Sequence, residues 1–450
     1  MRLPNPRIVV IDDQIEDLRA IVDGLAALGT TALAVHYPES SEPPDCPCMR
    51  ILFLDLHLIA GPADTDQQIK TTVGILITLL KPEHGPYLVV LWTKHPSDRE
   101  LFEQRVKERL PPERVPLPLG IVALDKTEFI GGDGDRRAVR NPQELRQRIK
   151  ERVEECPQLA AILSWEEDVA RAVDETIRGL NQIARRKTEQ QTDADLPREL
   201  GQTLAQLAIA AIGKENARQN VHRGVNEVLS GVLADRLMHL SAGTGTNELW
   251  ATAAAFAQTG PALTNEEEAT LNRFLNVEDG DLVAGVPPWE RGIVSSLSSL
   301  DADITRTLWG VSNADLLTEF CLGQSQTDGG VSFSVEWIMV QVQGACDHAQ
   351  QNRGLPPYIL GARTVGLSAN RREKIRKMPA LWLSPSLLGI DQRFYSLVFH
   401  LRFVTGLSRE RIEQLGLPAQ LRLKDQILAD LTHRKDTYAG RPGFIQFSGS

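Results

Sequence analysis

The sequence predicts a multi-domain protein of the α/β and α+β classes, led by a doubly wound five-stranded parallel sheet. Three observations predict it. Short apolar runs without alternation recur through the first third, each ending at a polar residue. Helical three-and-four spacing fills most of the intervals between them. Beyond residue 135 the pattern turns mostly helical, and beyond residue 325 longer strand-like runs appear. Strands alternating with helices imply a parallel sheet covered on both faces. The expected division is 1–135 for this sheet domain, 136–325 for a mostly helical middle region, and 326–450 for a small β-rich domain with a terminal helix. A chain of 450 residues is long enough for two to four domains at roughly 100–200 residues each.

Arg7–Ile11 (RIVVI) is apolar on both faces and ends in Asp12-Asp13, as a strand covered on both sides should be. Ile15, Leu18, Val22 and Leu25 then mark one helix face, closed by Gly29. Ala32–His36 predicts a second strand and Ile51–Leu54 a third, ending at Asp55. A helix is expected over Gln67–Leu80, a strand over Leu88–Trp92 ending at Thr93, and an amphipathic helix over Asp98–Leu110. Ile121–Leu124 is the fifth strand, ending near Lys126. Asn141–Cys156 is a charged helix, either the last of this domain or a connector. Further on, Leu159–Ala184 and Leu196–Leu240 predict helices. Val331–Val342, Pro379–Leu383 and Phe394–Val404 predict strands, and Leu407–Tyr438 a helix broken at Gly416-Leu417-Pro418.

The formal net charge is −10 and the pI about 5.5, so nucleic acid is not expected as a bulk electrostatic partner. Five scattered cysteines form no pair of zinc knuckles, which fits a reducing compartment. The N-terminus carries no apolar signal core, and no apolar run reaches the roughly 18 residues that span a bilayer. A cytoplasmic protein without a membrane partner is expected.

Chemistry concentrates at the strand ends. In a doubly wound sheet the carboxyl ends of the strands meet at one edge, where ligands bind. There the sequence places Asp12 and Asp13, Asp55, Thr93 and Lys126. Three clustered carboxylates need a cation, and an oxygen-only open site favours Mg²⁺. A hydroxyl and an ammonium beside them suit phosphoryl transfer.

Ile11-Asp12-Asp13, Leu54-Asp55-Leu56, Trp92-Thr93-Lys94 and Asp125-Lys126 resemble the active-site motifs of response-regulator receiver domains, with the flavodoxin-like fold. Gly61 matches that family's loop after the acceptor. The resemblance covers residues 7 to about 130 and implies two-component signalling. It implies that Asp12, Asp13 and Asp55 hold Mg²⁺ and that Asp55 accepts a phosphoryl group from a partner histidine kinase or related ATPase. Thr93 would be the switch hydroxyl and Lys126 the phosphoryl ligand. The segments between Asp55, Thr93 and Lys126 are longer than usual for the family, and three positions depart from its pattern. Lys94 stands where it has a small residue, Thr127 follows Lys126 in place of proline, and Ile121–Leu124 has no switch aromatic.

The expectation is an atypical response regulator whose receiver-like domain controls a C-terminal effector, by analogy with prokaryotic stress or phage-defence systems. A homodimer is compatible with it. The first alternative is a non-phosphorylated adaptor that docks a partner protein. The second is an enzyme with an active site near Cys346-Asp347-His348, a run suggestive of nucleophilic catalysis that would need distant residues to complete it. The basic run Arg371–Lys377 is expected to be a solvated helix face.

Overall fold

A computed structural model describes the chain except residues 1–5, 38–45, 59–63, 83, 112–113, 133–136, 190–194, 242, 255–261, 298–303, 324–326, 329–330, 351–353 and 441–450. Gly61 therefore lies outside the described residues. The chain divides into two units, Met1–Glu175 with Leu233–Gly260, and Thr176–Val232 with Pro261–Ser450. These units do not follow the boundaries near 135 and 325 expected from the sequence.

The first unit opens with β1 (Ile8–Asp12), α1 (Ile15–Ala26), β2 (Ala32–His36), β3 (Ile51–Leu54) and α2 (Thr65–Leu79). It continues with β4 (Leu88–Thr93), α3 (Arg99–Arg109), β5 (Gly120–Asp125) and the short α4 (Lys126–Phe129). A small hairpin, β6 (Ile130–Gly131) with β7 (Ala138–Val139), precedes α5 (Pro142–Glu154) and α6 (Pro157–Glu189). The strands form one five-stranded sheet in the order β2-β1-β3-β4-β5, and every pairing is parallel. The order reverses between β1 and β3, which opens a crevice beyond their carboxyl ends.

β1, β3 and β4 are buried at every position, which is why their sequences do not alternate. On one face Val9, Ile11, Leu52 and Leu54 pack with Ile69 and Val73 of α2 and Phe102 of α3. On the other, Val10, Phe53 and Trp92 pack with Leu18 and Ile21 of α1, Leu145 of α5 and Leu159 of α6. α5 is thus the covering helix that closes this layer. Its start combines Pro142 at the first helical position with Asn141, whose side chain accepts from Glu144 N.

Helices α7 (Leu196–Ile212), α8 (Lys214–Gln219), α9 (Val221–His239), α10 (Thr246–Ala253) and α11 (Asn265–Asn276) follow. The boundary between the units falls within α6 and α9, and α10 belongs to the first unit. The second unit then runs β8 (Val277–Asp279), β9 (Ile293–Ser296), α12 (Ile304–Trp309), α13 (Asn313–Glu319) and a short hairpin of β10 (Thr327–Asp328) and β11 (Val331–Ser332). It goes on through β12 (Ser334–Gln341), α14 (Ala345–Ala349), β13 (Pro357–Val365), α15 (Ala369–Arg376), β14 (Leu381–Leu383) and β15 (Leu387–Leu388). β16 (Phe394–Gly406), α16 (Arg409–Leu415), β17 (Ala419–Leu423) and α17 (Asp425–Ala439) complete it. Eight strands make a sheet in the order β14-β16-β13-β12-β9-β17-β8, with β15 beside β16. Its pairings are antiparallel.

Four features of this unit differ from the sequence expectation. β8 and β9 precede residue 326 yet hydrogen-bond into the same sheet as the later strands. β13 was not expected, because Pro357 and Gly361 interrupt its apolar pattern. Gly361 has a tertiary reason: a Cβ there would stand 2.4 Å from the Phe399 ring, beside an irregularity in the β13–β16 register. Residues 419–423, expected to be helical, are β17. Gly416 ends α16 in the left-handed region, and Leu421 and Leu423 then point alternately into the core. Lastly, the Arg371–Lys377 run is more than a solvated face. Arg371 Nη1 donates to the Cys321 and Leu322 carbonyls at 3.0 and 2.7 Å, Arg372 Nη2 donates to Ser384 O at 3.3 Å, and Ile375 is buried.

No helix among the described residues is long and apolar enough to cross a membrane.

Candidate functional site

Register builds the site. Ile11 of β1 pairs with Leu54 of β3, and Asp55 N donates to Ile11 O at 3.0 Å. Asp12 and Asp55 therefore leave adjacent strands at the same level. Thr93 of β4 pairs with Asp125 of β5, which puts Lys126 one residue beyond the edge. There Asp125 caps α4, accepting from Thr127 N at 2.9 Å and Thr127 Oγ1 at 2.7 Å. That tight turn directs Lys126 back over the sheet edge. Thr127 thus supplies two donors at a place where proline has no N–H.

Asp12, Asp55, Thr93 and Lys126 are all buried, and Asp13 is half-buried. Lys126 Nζ lies 2.6 Å from Asp55 Oδ2, 3.1 Å from Asp12 Oδ2 and 3.2 Å from Asp17 Oδ2. Asp12 Oδ1 accepts from Gln14 N at 2.9 Å. Asp55 Oδ1 accepts from His57 N at 3.4 Å. Thr93 Oγ1 accepts from His95 N at 3.2 Å and keeps its own O–H to donate. Asp12, Asp13 and Asp55 can each aim one carboxylate oxygen so that all three lie within 4.8 Å of one another. An all-oxygen set of this kind suits a hard divalent cation. All five residues expected from the sequence come together.

The electrostatics show what such a site lacks. Burial, reinforced by the charge on Asp55, pushes the Asp12 carboxyl up to about 7, against the pull of Lys126. Burial also opposes the charge on Lys126, but the carboxylates of Asp12, Asp55 and Asp17 outweigh it and hold the ammonium above its usual range. One buried ammonium faces three buried carboxylates, with Asp13 beside them. Arg137 also pairs with Asp17, so Asp12 and Asp55 share Lys126 with Asp13 beside them, and a divalent cation there would offset their remaining charge. A cavity of about 150 Å³ opens onto it, lined by Asp13, Asp55, His57, Thr93, Lys94 and Lys126 among others.

The sequence reading missed Asp17. It sits on α1, buried, accepts from Arg137 Nη1 at 2.5 Å and forms an ion pair with Lys126. Its one sequence signal is a charge placed four residues before Ile21, on the flank of an apolar face. Lys94 is half-exposed, with Nζ 3.9 Å from Asp17 Oδ2. It lines the cavity without closing it.

In the second unit, Cys346 is exposed on α14. His348, two residues on, turns instead to Glu290, with Nε2 hydrogen-bonded to Oε2 at 2.9 Å. Arg223 Nη1 stands 3.5 Å from the other Glu290 oxygen. His348 first, and then Arg223, hold Glu290 below the usual carboxylate range against its burial. A crevice of about 280 Å³ is lined by Arg223, Trp289, Glu290, His348, Ser408 and Arg409 among others. Cys346 is not among the described residues lining it.

No protein-family model matches the chain, and no curated protein does. Among solved structures the chain is similar to a yeast Spc42 trimeric coiled-coil segment, amino acids 181–211, fused to another structure. The identity is 15% over 38% of this chain and 99% of that one, with a TM-score of 0.17. So slight a likeness does not bear on the fold.

Proposed function

We propose that the N-terminal sheet is a receiver-type phosphoacceptor and that Asp55 takes the phosphoryl group. One observation carries this reading: carboxylates, a hydroxyl and an ammonium from four strand ends converge on one cavity. Asp12, Asp13 and Asp55 would hold Mg²⁺, which neutralises charge on the phosphoryl oxygens. A carboxylate oxygen of Asp55 attacks the phosphorus of a phosphohistidine on a partner kinase. The P–N bond breaks, the histidine takes up a proton, and an acyl phosphate forms on Asp55. Lys126 pairs with one phosphoryl oxygen and Thr93 donates to another. The modified unit then controls the second unit as effector.

A second reading, a non-phosphorylated adaptor, is favoured by the close Lys126–Asp55 pair, which already neutralises the attacking group. Acetyl phosphate with Mg²⁺ separates the two. The wild type is expected to gain the mass of one phosphoryl group, and Asp55→Asn is not. Beryllofluoride with Mg²⁺ should raise the wild-type melting temperature and leave Asp55→Asn unmoved. If the wild type shows neither response, the acceptor reading fails and the adaptor stands.

A further inference from the structure

Two loops at this sheet edge carry a second group of ligand-type side chains. His57 lies two residues beyond Asp55, and His95 two residues beyond Thr93. Asp98 closes the single 3₁₀ turn Pro96–Asp98. The two imidazole rings lie 4.4 Å apart between centroids, tilted by 37°. His57 Nε2 stands 3.6 Å from Asp98 Oδ2, too far for a hydrogen bond. That nitrogen is nevertheless shielded from solvent and has no hydrogen-bond partner among the described residues. Shielded ring nitrogens ordinarily find a partner, so this one is missing something.

One atom from each of His57, His95 and Asp98 can lie within 4.8 Å of the other two. Ligands about 2.0–2.1 Å from a tetrahedral metal sit roughly 3.3 Å apart. The His57–Asp98 separation of 3.6 Å is close to that. Two imidazoles and a carboxylate are the donors of borderline metals such as Zn²⁺, not of Mg²⁺. His95 is exposed, which gives the ion an entry path and leaves a fourth position to water.

We propose that His57, His95 and Asp98 form a transition-metal site of the Zn²⁺ class on the rim of the cavity. A bound ion ties the loop after β3 to the loop after β4. Both loops also touch the acceptor site, since His57 N donates to Asp55 and His95 N to Thr93. The proposal stands apart from the phosphoacceptor reading, because the two sites share no residue and the readout is bound metal.

The test is equilibrium dialysis of the metal-free full chain against Zn²⁺ in excess Mg²⁺. The wild type is expected to bind one equivalent more than the triple variant His57→Gln, His95→Gln, Asp98→Asn. The single variant His95→Gln, at an exposed position, should lose at least roughly 100-fold in affinity, the upper end of what losing a mere supporting partner costs. Asp13→Asn with Asp55→Asn should keep the extra equivalent. Co²⁺ should give visible absorption bands in the wild type that His95→Gln lacks. Equal Zn²⁺ uptake by wild type and His95→Gln overturns the proposal, as does a wild type that takes up no Zn²⁺ or yields it to Mg²⁺.

Discussion

The sheet edge of the first unit and the Glu290–His348 crevice of the second both gather acids and bases, but they treat charge differently. At the sheet edge Asp12, Asp17, Asp55 and Lys126 are all buried, and Asp17 is paired with Arg137 as well as Lys126. In the crevice Glu290 is partly exposed and is matched by His348 and Arg223. The crevice is satisfied by its own residues. At the sheet edge burial first, and then the charge on Asp55, raises the Asp12 carboxyl to about 7 against the pull of Lys126. A buried carboxyl whose pKa is strongly raised among clustered charges marks a ligand site more clearly than a collection of polar side chains does.

The largest expected effect breaks that comparison at Lys126. Lys126→Met removes the buried ammonium and leaves Asp12, Asp17 and Asp55 facing one another. Breaking a buried pair from one side costs about 3–5 kcal/mol, so urea unfolding at neutral pH without divalent cations should show a loss of that size. Adding Asp55→Asn to the same chain should recover part of it. A loss no larger than that of a surface pair would mean that the cluster is solvated.

The pH dependence sharpens the comparison. Asp12 titrates near 3.8 unfolded and about 7 folded, so the folded state holds the extra proton between those values. Its stabilising contribution is full below about 3.8 and is lost as pH rises through about 7. Unfolding free energies across that window should fall with a slope of at most about 1.4 kcal/mol per pH unit from this group. Asp12→Asn should flatten that part of the profile. Mg²⁺ should stabilise the wild type more at pH 8 than at pH 5, because it takes the proton's place. A Mg²⁺ effect independent of pH would count against Asp12 as a ligand.

The smallest effect is expected in the crevice. His348→Gln keeps a donor near Glu290, and a partly exposed pair contributes about 0–1 kcal/mol. Unfolding should shift by no more than that, and the proposed phosphoryl uptake at Asp55 should be unchanged. A loss comparable to Lys126→Met would make the two regions alike.

Much of the first unit was legible because its signals are local. β2 and β3 stand where apolar runs end at polar residues, and the other three strands differ by one residue at their ends. Asp17 was hidden because one acid on a helix flank looks the same whether it meets solvent or a lysine more than a hundred residues away. His57, His95 and Asp98 escaped notice for the same reason, since nothing local says that the loops after β3 and β4 meet. β13 was obscured by Gly361, whose place is set by the ring of Phe399 on the neighbouring strand.

By itself the sequence determined which residue types stand at the ends of the first five strands and in what chain order. Periodicity and burial on both faces act within a few residues, so they are written locally. Only the tertiary structure decided that β1 lies between β2 and β3, so that Asp12 meets Asp55. It alone turned Lys126 onto three carboxylates and drew β8 and β9 into a sheet with strands from the end of the chain. Those outcomes depend on strand order and register, which contacts between distant segments fix and no local window contains.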